Sequence, residues 1–372
     1  MNERMNVERG KINVTQLFFC VTGFVEGSVL LVNFAVDMTK SQTWMAVLAS
    51  IAVAIPVIYS YVALATRFPG LNVIQINDIV YGPILGKLIS LYYIFFFALT
   101  FSFNNRDIGE LYKTFIMPDA PMIFFLAAFA VTCAYAVHKG LEPLARVSHI
   151  IVAISFTVML LIFLLLIDIM DFSNFLPLFD VPLISFIHSV HVITAIPFCE
   201  SIAFLMIFGS LDKTEKAAKY VIWGLISGGF ILLNVAVRYT AVLGNTETIW
   251  TSPSFESTRL IDIGTVLTRM DLLIGAIQTI LIFFKASLLL YALATSVAQI
   301  LGLKSYLPIL LPLTAIEVIL SATVYQSPVD HAMTTQNAGI FYSTPLLYFT
   351  PAITLLIAVI RKLPKSKRRK RS

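Results

Sequence analysis

Three ionisable residues stand alone in long apolar stretches: Glu26, Glu200 and Lys285. Glu26 lies in Cys20-Val21-Thr22-Gly23-Phe24-Val25-Glu26-Gly27-Ser28, and Glu200 in Ala195-Ile196-Pro197-Phe198-Cys199-Glu200-Ser201. Each acid sits beside residues that weaken a helix. A Gly-x-x-x-Gly pair flanks Glu26, and Pro197 removes a backbone donor ahead of Glu200. Phe-x-Glu followed by Gly or Ser is common to both. A helix broken at membrane depth exposes N–H and C=O groups that only a cavity or a ligand can satisfy. Exposed N-terminal ends attract a carboxylate, and exposed carbonyls attract cations. The chemistry expected is binding of a small charged molecule. Glu26 and Glu200 then serve as proton-titrating groups, as partners of the broken backbone, or as contacts to a ligand amine. One glycine pair is equally a helix-packing face, and one proline a simple kink. Two matched breaks, each with an acid, point instead to a central cavity.

Lys285 sits within Phe283-Phe284-Lys285-Ala286-Ser287-Leu288-Leu289-Leu290-Tyr291. It is far from either helix end, which disfavours snorkelling, and can neutralise a glutamate when the site is empty. Ser287, Tyr291 and Thr295 follow at i+4 spacing as a polar stripe, facing the cavity or another helix. Asn104, Asn105, Arg106 and Glu110 either line an outer vestibule or form a helix-end salt-bridge cluster. Glu317 is expected to be structural. His188 and His191 share a helix face without a carboxylate or thiolate at ligand spacing, so hydrogen bonding is expected and a metal is not. Phosphate-loop, serine-hydrolase and metalloprotease patterns are absent, so neither catalysis nor a cofactor is expected.

These residues are held by a membrane chain. Of 372 residues, 58% are hydrophobic and 13% charged, against roughly a quarter charged in soluble domains. Spans are expected at 12–36, 44–67, 85–110, 121–138, 149–170, 183–209, 219–243, 270–300, 306–325 and 343–361. They fill one polytopic domain, 1–361, so a separate soluble domain is not expected. Residues 1–11 do not resemble a cleavable signal. Cys20, Cys133 and Cys199 lie in apolar stretches with no disulfide or zinc spacing. The segment 244–269, with Trp250, Pro253 and Phe255, is too polar to span and is expected to cap the outer face.

Lysine and arginine counts orient the chain. With the N-terminus inside, inner segments hold nineteen and outer segments four: Lys40, Lys113, Arg259 and Arg269. Both termini are therefore expected to be cytoplasmic, and the number of spans even. The tail 362–372 is basic. The whole chain carries +5 and would carry −3 without the eight charges after Ile360. Anchoring on anionic lipid, at about 1 kcal/mol per basic residue, is expected over nucleic-acid binding or partner docking.

Glu26 and Glu200 are 174 residues apart. The same shift carries 44–67 onto 218–241, the seventh span. Five spans separate the two sites, so the halves (12–170 and 183–361) are inverted repeats, an arrangement of transporters with binding sites at discontinuous helices.

Four local patterns resemble a known family. They are Ile12-Asn13-Val14-Thr15-Gln16-Leu17-Phe18-Phe19 running into Gly23–Ser28; Pro197-Phe198-Cys199-Glu200-Ser201-Ile202-Ala203-Phe204; Ser252-Pro253-Ser254-Phe255-Glu256-Ser257-Thr258-Arg259-Leu260-Ile261-Asp262-Ile263-Gly264 continuing to Arg269-Met270-Asp271; and Lys285 after two phenylalanines. Across nearly its whole length the chain resembles the B subunit of spore germinant receptors, within the amino acid–polyamine–organocation (APC) transporter superfamily. Asp271 stands where that family often has Glu, and no acid precedes Thr43-Trp44.

The resemblance implies an all-α membrane protein of ten transmembrane helices in a five-plus-five inverted repeat (LeuT/APC-like), with helices one and six discontinuous. It implies a sensor of a small germinant, typically an amino acid, working with A and C subunits in the inner spore membrane. The ligand is expected against Gly23, Phe24, Glu26, Gly27, Ser28, Asn105, Pro197, Phe198, Glu200, Ser201, Lys285, Ser287 and Tyr291. Two rivals share the fold: a proton-coupled amino acid transporter, and a structural or partner-anchoring membrane protein with a vestigial site.

Overall fold

In the computed structural model, residues 11–212, 214–261 and 270–364 are described. Residues 1–10, Lys213, Asp262 through Arg269 and the tail from Lys365 lie outside them. This includes part of the third family pattern and most of the basic tail.

The chain folds as a helical bundle. Asn13 caps the first helix, α1 (Val14–Glu26), through a capping box with Gln16. The helix stops at Gly27. The backbone then tightens into a 3₁₀ stretch, Val29–Ala35, and one turn, Val36–Thr39. There follow α2 (Thr43–Arg67), a short α3 (Val73–Tyr81), α4 (Pro83–Leu111), α5 (Met122–His138) and α6 (Leu141–Leu166). The second discontinuous helix begins as α7 (Leu183–Ile193). Pro197 lies in a widened π turn, Thr194–Phe198, followed by a 3₁₀ stretch, Cys199–Ala203, and one α turn, Phe204–Ile207. A proline cannot donate to the preceding turn and clashes with it, so the loosened turn is where the ladder breaks. The remaining elements are α8 (Ala217–Leu243), α9 (Pro253–Arg259), α10 (Met270–Ile300), α11 (Leu307–Thr323), α12 (Pro328–Thr334) and α13 (Thr350–Ile360), the last two joined by a short α-helical stretch, Ile340–Thr344, between two π turns.

By length and composition, seven helical stretches among the described residues can cross a membrane, or eight if α11 and the following Pro328–Gly339, bent by 95°, form one broken span. The expectation of ten needs α1 and α5 as well. Both are apolar, but they are 13 and 17 residues long, so length alone stops at eight. One expected boundary shifts clearly. The fifth span begins at Leu141, not 149: Pro143 lies in the first turn, where a missing N–H costs nothing, and Arg146 pairs with Glu142 on the exposed surface at 2.5 Å. The last span, Phe341–Ile360, lies within two residues of the expected 343–361, and the polar stretch 328–339 before it bonds into the bundle, as His331 does to Asp107.

Helix α1 is the hub, packing on α8, α6 and α10. Glycines permit this. A Cβ at Gly228 would meet Val25 Cβ at 2.7 Å, and one at Gly224 would meet Phe18 O at 2.8 Å. Where the first break's chain begins, Ile12 N donates to Ser210 O at 3.0 Å and Asp212 N to Ile12 O at 3.2 Å, joining the two discontinuous elements. At the same end, termed the tail end, Arg361 donates to Val80 O and Arg67 to Ala358 O. At the opposite, cap end, Phe255 of α9 stacks on Phe115 at 4.2 Å, and Arg238 of α8, fully buried, donates to Ser254 Oγ at 2.6 Å.

Candidate functional site

Lys285 of α10 reaches between the two breaks. Its Nζ stands 2.5 Å from Glu200 Oε2 and donates to Ser28 Oγ at 2.8 Å. It lies 5.5 Å from the Phe24 ring centroid. Lys285 is fully buried and Glu200 is 6% exposed. One ammonium thus ties the residue after the first break to the acid in the second. The approach depends on Gly27, where a Cβ would lie 2.7 Å from Lys285 Cβ and 2.8 Å from Leu281 O. At Gly23 a Cβ would lie 3.2 Å from the Phe284 ring. The glycine pair is therefore a packing face for α10 as well as the flank of a break.

The expected residues divide by where they point. Phe24, Gly27, Ser28, Glu200 and Lys285 come together. Glu26, 1% exposed, turns to Ser155 of α6, and neither of its carboxylate oxygens has a hydrogen-bond partner. The Ser201 hydroxyl is buried and also lacks a partner. Pro197 is enclosed in its π turn, and the Phe198 ring packs toward Gly229 of α8. Asn105 faces α11, donating to Ser321 Oγ at 2.9 Å. Ser287 faces Cys133 of α5, and the Tyr291 ring meets that of Tyr306 edge-on at 5.8 Å. The polar stripe after Lys285 thus does not reach the ion pair.

Arg106 and Glu110 form a salt bridge at 2.8 Å, and Arg106 also donates to Ala322 O. His188 and His191 bond to Gln336 O at 2.8 Å and Thr344 Oγ1 at 2.9 Å, outside their own helix. Glu317 accepts from Ser102 Oγ at 2.7 Å.

One cluster was not anticipated. Asp107 accepts from His331 Nδ1 at 3.0 Å and from Tyr325 Oη at 2.7 Å. The His331 ring stacks against both Phe103 and Tyr325, at 4.5 and 4.4 Å. Asp107 and His331 line a small cavity of about 30 Å³ beside Glu200, together with Asn104 and Tyr342. They also line a larger one of about 250 Å³ at the cap end. The sequence signal was Asn104 and Asp107, three residues apart and so on one helix face; Asn105 is the neighbour that points elsewhere. His331 gave no signal, lying in a stretch that reads as loop.

The space beside Glu200 holds about one water, so this conformer is closed around the ion pair. Chemically the arrangement offers one buried cation, one buried anion and two sets of broken backbone. Among the described residues, no group of three or more His, Cys, Asp or Glu is arranged to hold a metal ion.

The family model described as "Spore germination protein" matches residues 11–363. Spore germination protein KB of Bacillus subtilis (strain 168) is 28% identical over 366 residues, covering 97% of this chain and 98% of that protein. Among solved structures, Mhp1, a nucleobase-cation-symport-1 family transporter with bromovinylhydantoin bound, aligns with a TM-score of 0.70 at 10% identity, covering 97% of this chain and 82% of that one. MhsT in complex with L-phenylalanine aligns at 0.69 and 13%, covering 95% and 99%. Those two likenesses show the fold, that of LeuT-like transporters with discontinuous helices.

Proposed function

We propose that this chain, which belongs to the spore germination protein family, is the membrane-embedded germinant-binding subunit of a spore germination receptor. The observation that carries the proposal is the buried Lys285 ammonium held between Ser28 and Glu200. It is a charge pair built where two helices break, and a small zwitterion can replace both of its halves. The ligand's ammonium takes Glu200; its carboxylate takes Lys285 and the N–H groups freed at the breaks. An amino acid is the smallest molecule that does both. That MhsT is described with L-phenylalanine supports an amino acid in this fold. The termini face the spore core, the cap faces outward, and A and C subunits read the change of conformer that the ligand favours.

Germination of spores carrying Glu200→Gln or Lys285→Met, measured against nutrient concentration, tests this. The expected result is a loss of response, or a shift of the half-maximal concentration by tenfold or more. An unchanged dose-response in both variants refutes the site.

The likeness to Mhp1 and MhsT favours a second reading, a proton-coupled amino acid transporter. Reconstitution of this chain alone separates the two. Saturable uptake driven by a pH gradient supports transport; binding without uptake supports the sensor.

A further inference from the structure

The cap-end cavity lies apart from the ion pair, and its lining combines carboxylates with aromatic rings. It holds about 250 Å³, near the lower end of the roughly 300–1,000 Å³ usual for small-molecule sites. Asp107 and Glu110 contribute two carboxylates; Arg106, outside the lining, pairs with Glu110 at 2.8 Å, while Asp107 bonds to His331 and Tyr325 and has no lysine or arginine in salt-bridge contact among the described residues. Phe34, Phe115 and Tyr325 contribute aromatic rings to the wall. Ser252, 7% exposed, lines the same space, and its Oγ has no hydrogen-bond partner. A buried hydroxyl without a partner is costly unless something else satisfies it.

We propose that this cavity is a second binding site, for a small organic cation, separate from the zwitterion site at Lys285. Ring faces and carboxylates together attract an ammonium group: the rings by their negative faces, the carboxylates by charge. Ser252 Oγ accepts a hydrogen bond from the ligand. The shared wall of Asp107 and His331 places this site one residue layer from the cavity beside Glu200. The site goes beyond the germinant reading and does not depend on it.

The test uses the full chain in nanodiscs, titrated calorimetrically with choline and with phenethylammonium. 3,3-Dimethylbutan-1-ol serves as the uncharged isostere of choline. Saturable binding of at least one cation is expected, with the alcohol at least tenfold weaker. Val329 is 60% exposed and lines the cavity, so Val329→Trp fills the space without disturbing a buried group; it is expected to weaken the cation tenfold or more. Glu110→Gln is expected to weaken it similarly. The Glu200→Gln/Lys285→Met double variant is expected to bind the cation with unchanged affinity, which separates failure at this site from failure at the inner one. No saturable binding of either cation, equal binding of the alcohol, or unchanged affinity in Val329→Trp overturns the proposal.

Discussion

Replacing Lys285 by methionine keeps an unbranched side chain of similar length and removes the ammonium. It leaves Glu200, 6% exposed, without the ammonium that paired with it. Two unit charges 2.5 Å apart attract by roughly 7 kcal/mol at an effective dielectric constant of about 20. Removing each charge from water costs several kcal/mol, so the pair comes close to breaking even against a neutral one. Removing a single partner is different, because the desolvation of the survivor is no longer offset; such losses run to about 3–5 kcal/mol. Lys285→Met is therefore expected to destabilise the protein by about 3–5 kcal/mol. The double variant Glu200→Gln/Lys285→Met is expected to return to within about 1 kcal/mol of the native value, since a neutral pair needs no counter-charge. Unfolding by SDS titration in mixed micelles, run on both single variants and the double, measures the cycle. A double variant no more stable than the weaker single, or a Lys285→Met protein within about 1 kcal/mol of native, refutes the reasoning.

Three further outcomes follow from local geometry. Gly27→Ala places a Cβ within 3 Å of Lys285 Cβ and Leu281 O. Helix α10 must then back away, at about 1–3 kcal/mol, and the nutrient response is expected to fall more than in Gly275→Ala, where the added carbon meets only ordinary contacts at 3.7 Å. Arg238→Met removes the donor to Ser254; at about 1.5–3 kcal/mol for a charge-assisted bond, cap residues 244–261 are expected to become more susceptible to protease, with cleavage mapped by mass spectrometry. Asn105→Ala loses one hydrogen bond to Ser321; a cost of about 1 kcal/mol in unfolding is expected, with the half-maximal nutrient concentration unchanged.

The two breaks were legible because the signals are local. Glycine and proline beside an intramembrane acid weaken a helix wherever it lies. The offset of 174 was also readable: it carries Thr43–Arg67 onto 217–241, and α8 is Ala217–Leu243. Further on the offset lengthens. Met122–His138 and Leu307–Thr323, each 17 residues, lie 185 apart (122 and 307), because the second half carries the cap between α8 and α10. Lys285 as a counter-charge was readable from its depth in an apolar helix. Its polar neighbours take the second of the two faces the stripe allowed, another helix. Ser287 is two residues on, about 200° around the helix, and points to α5. The same one-residue matter separates Asn104 from Asn105. What the sequence could not supply was pairing across distant segments. Asp107 and His331 are 224 residues apart, and Gln336 donates to Phe34 O, 302 residues away. No periodicity encodes such a partner, so a polar stretch that closes the bundle reads as loop.

The ion pair also sets what a ligand must carry. Entry of any molecule between Glu200 and Lys285 separates two charges that are buried in each other's company. A zwitterion compensates both. An amine without a carboxylate satisfies Glu200 and strands Lys285; an acid without an amine does the reverse. Either leaves one buried ion unpaired, at a cost of about 3–5 kcal/mol, or about two to three and a half orders of magnitude in affinity. For an amino acid ligand, as proposed above, the decarboxylated amine and the deaminated acid are therefore expected to bind at least about 100-fold more weakly, although each fills nearly the same volume. In the Glu200→Gln/Lys285→Met background that ranking is expected to collapse, because no charge remains to be stranded. Competition binding with the three compounds on native and doubly neutral protein measures both statements. An amine or acid that matches the amino acid in the native protein shows that the pair does not receive the ligand's charges.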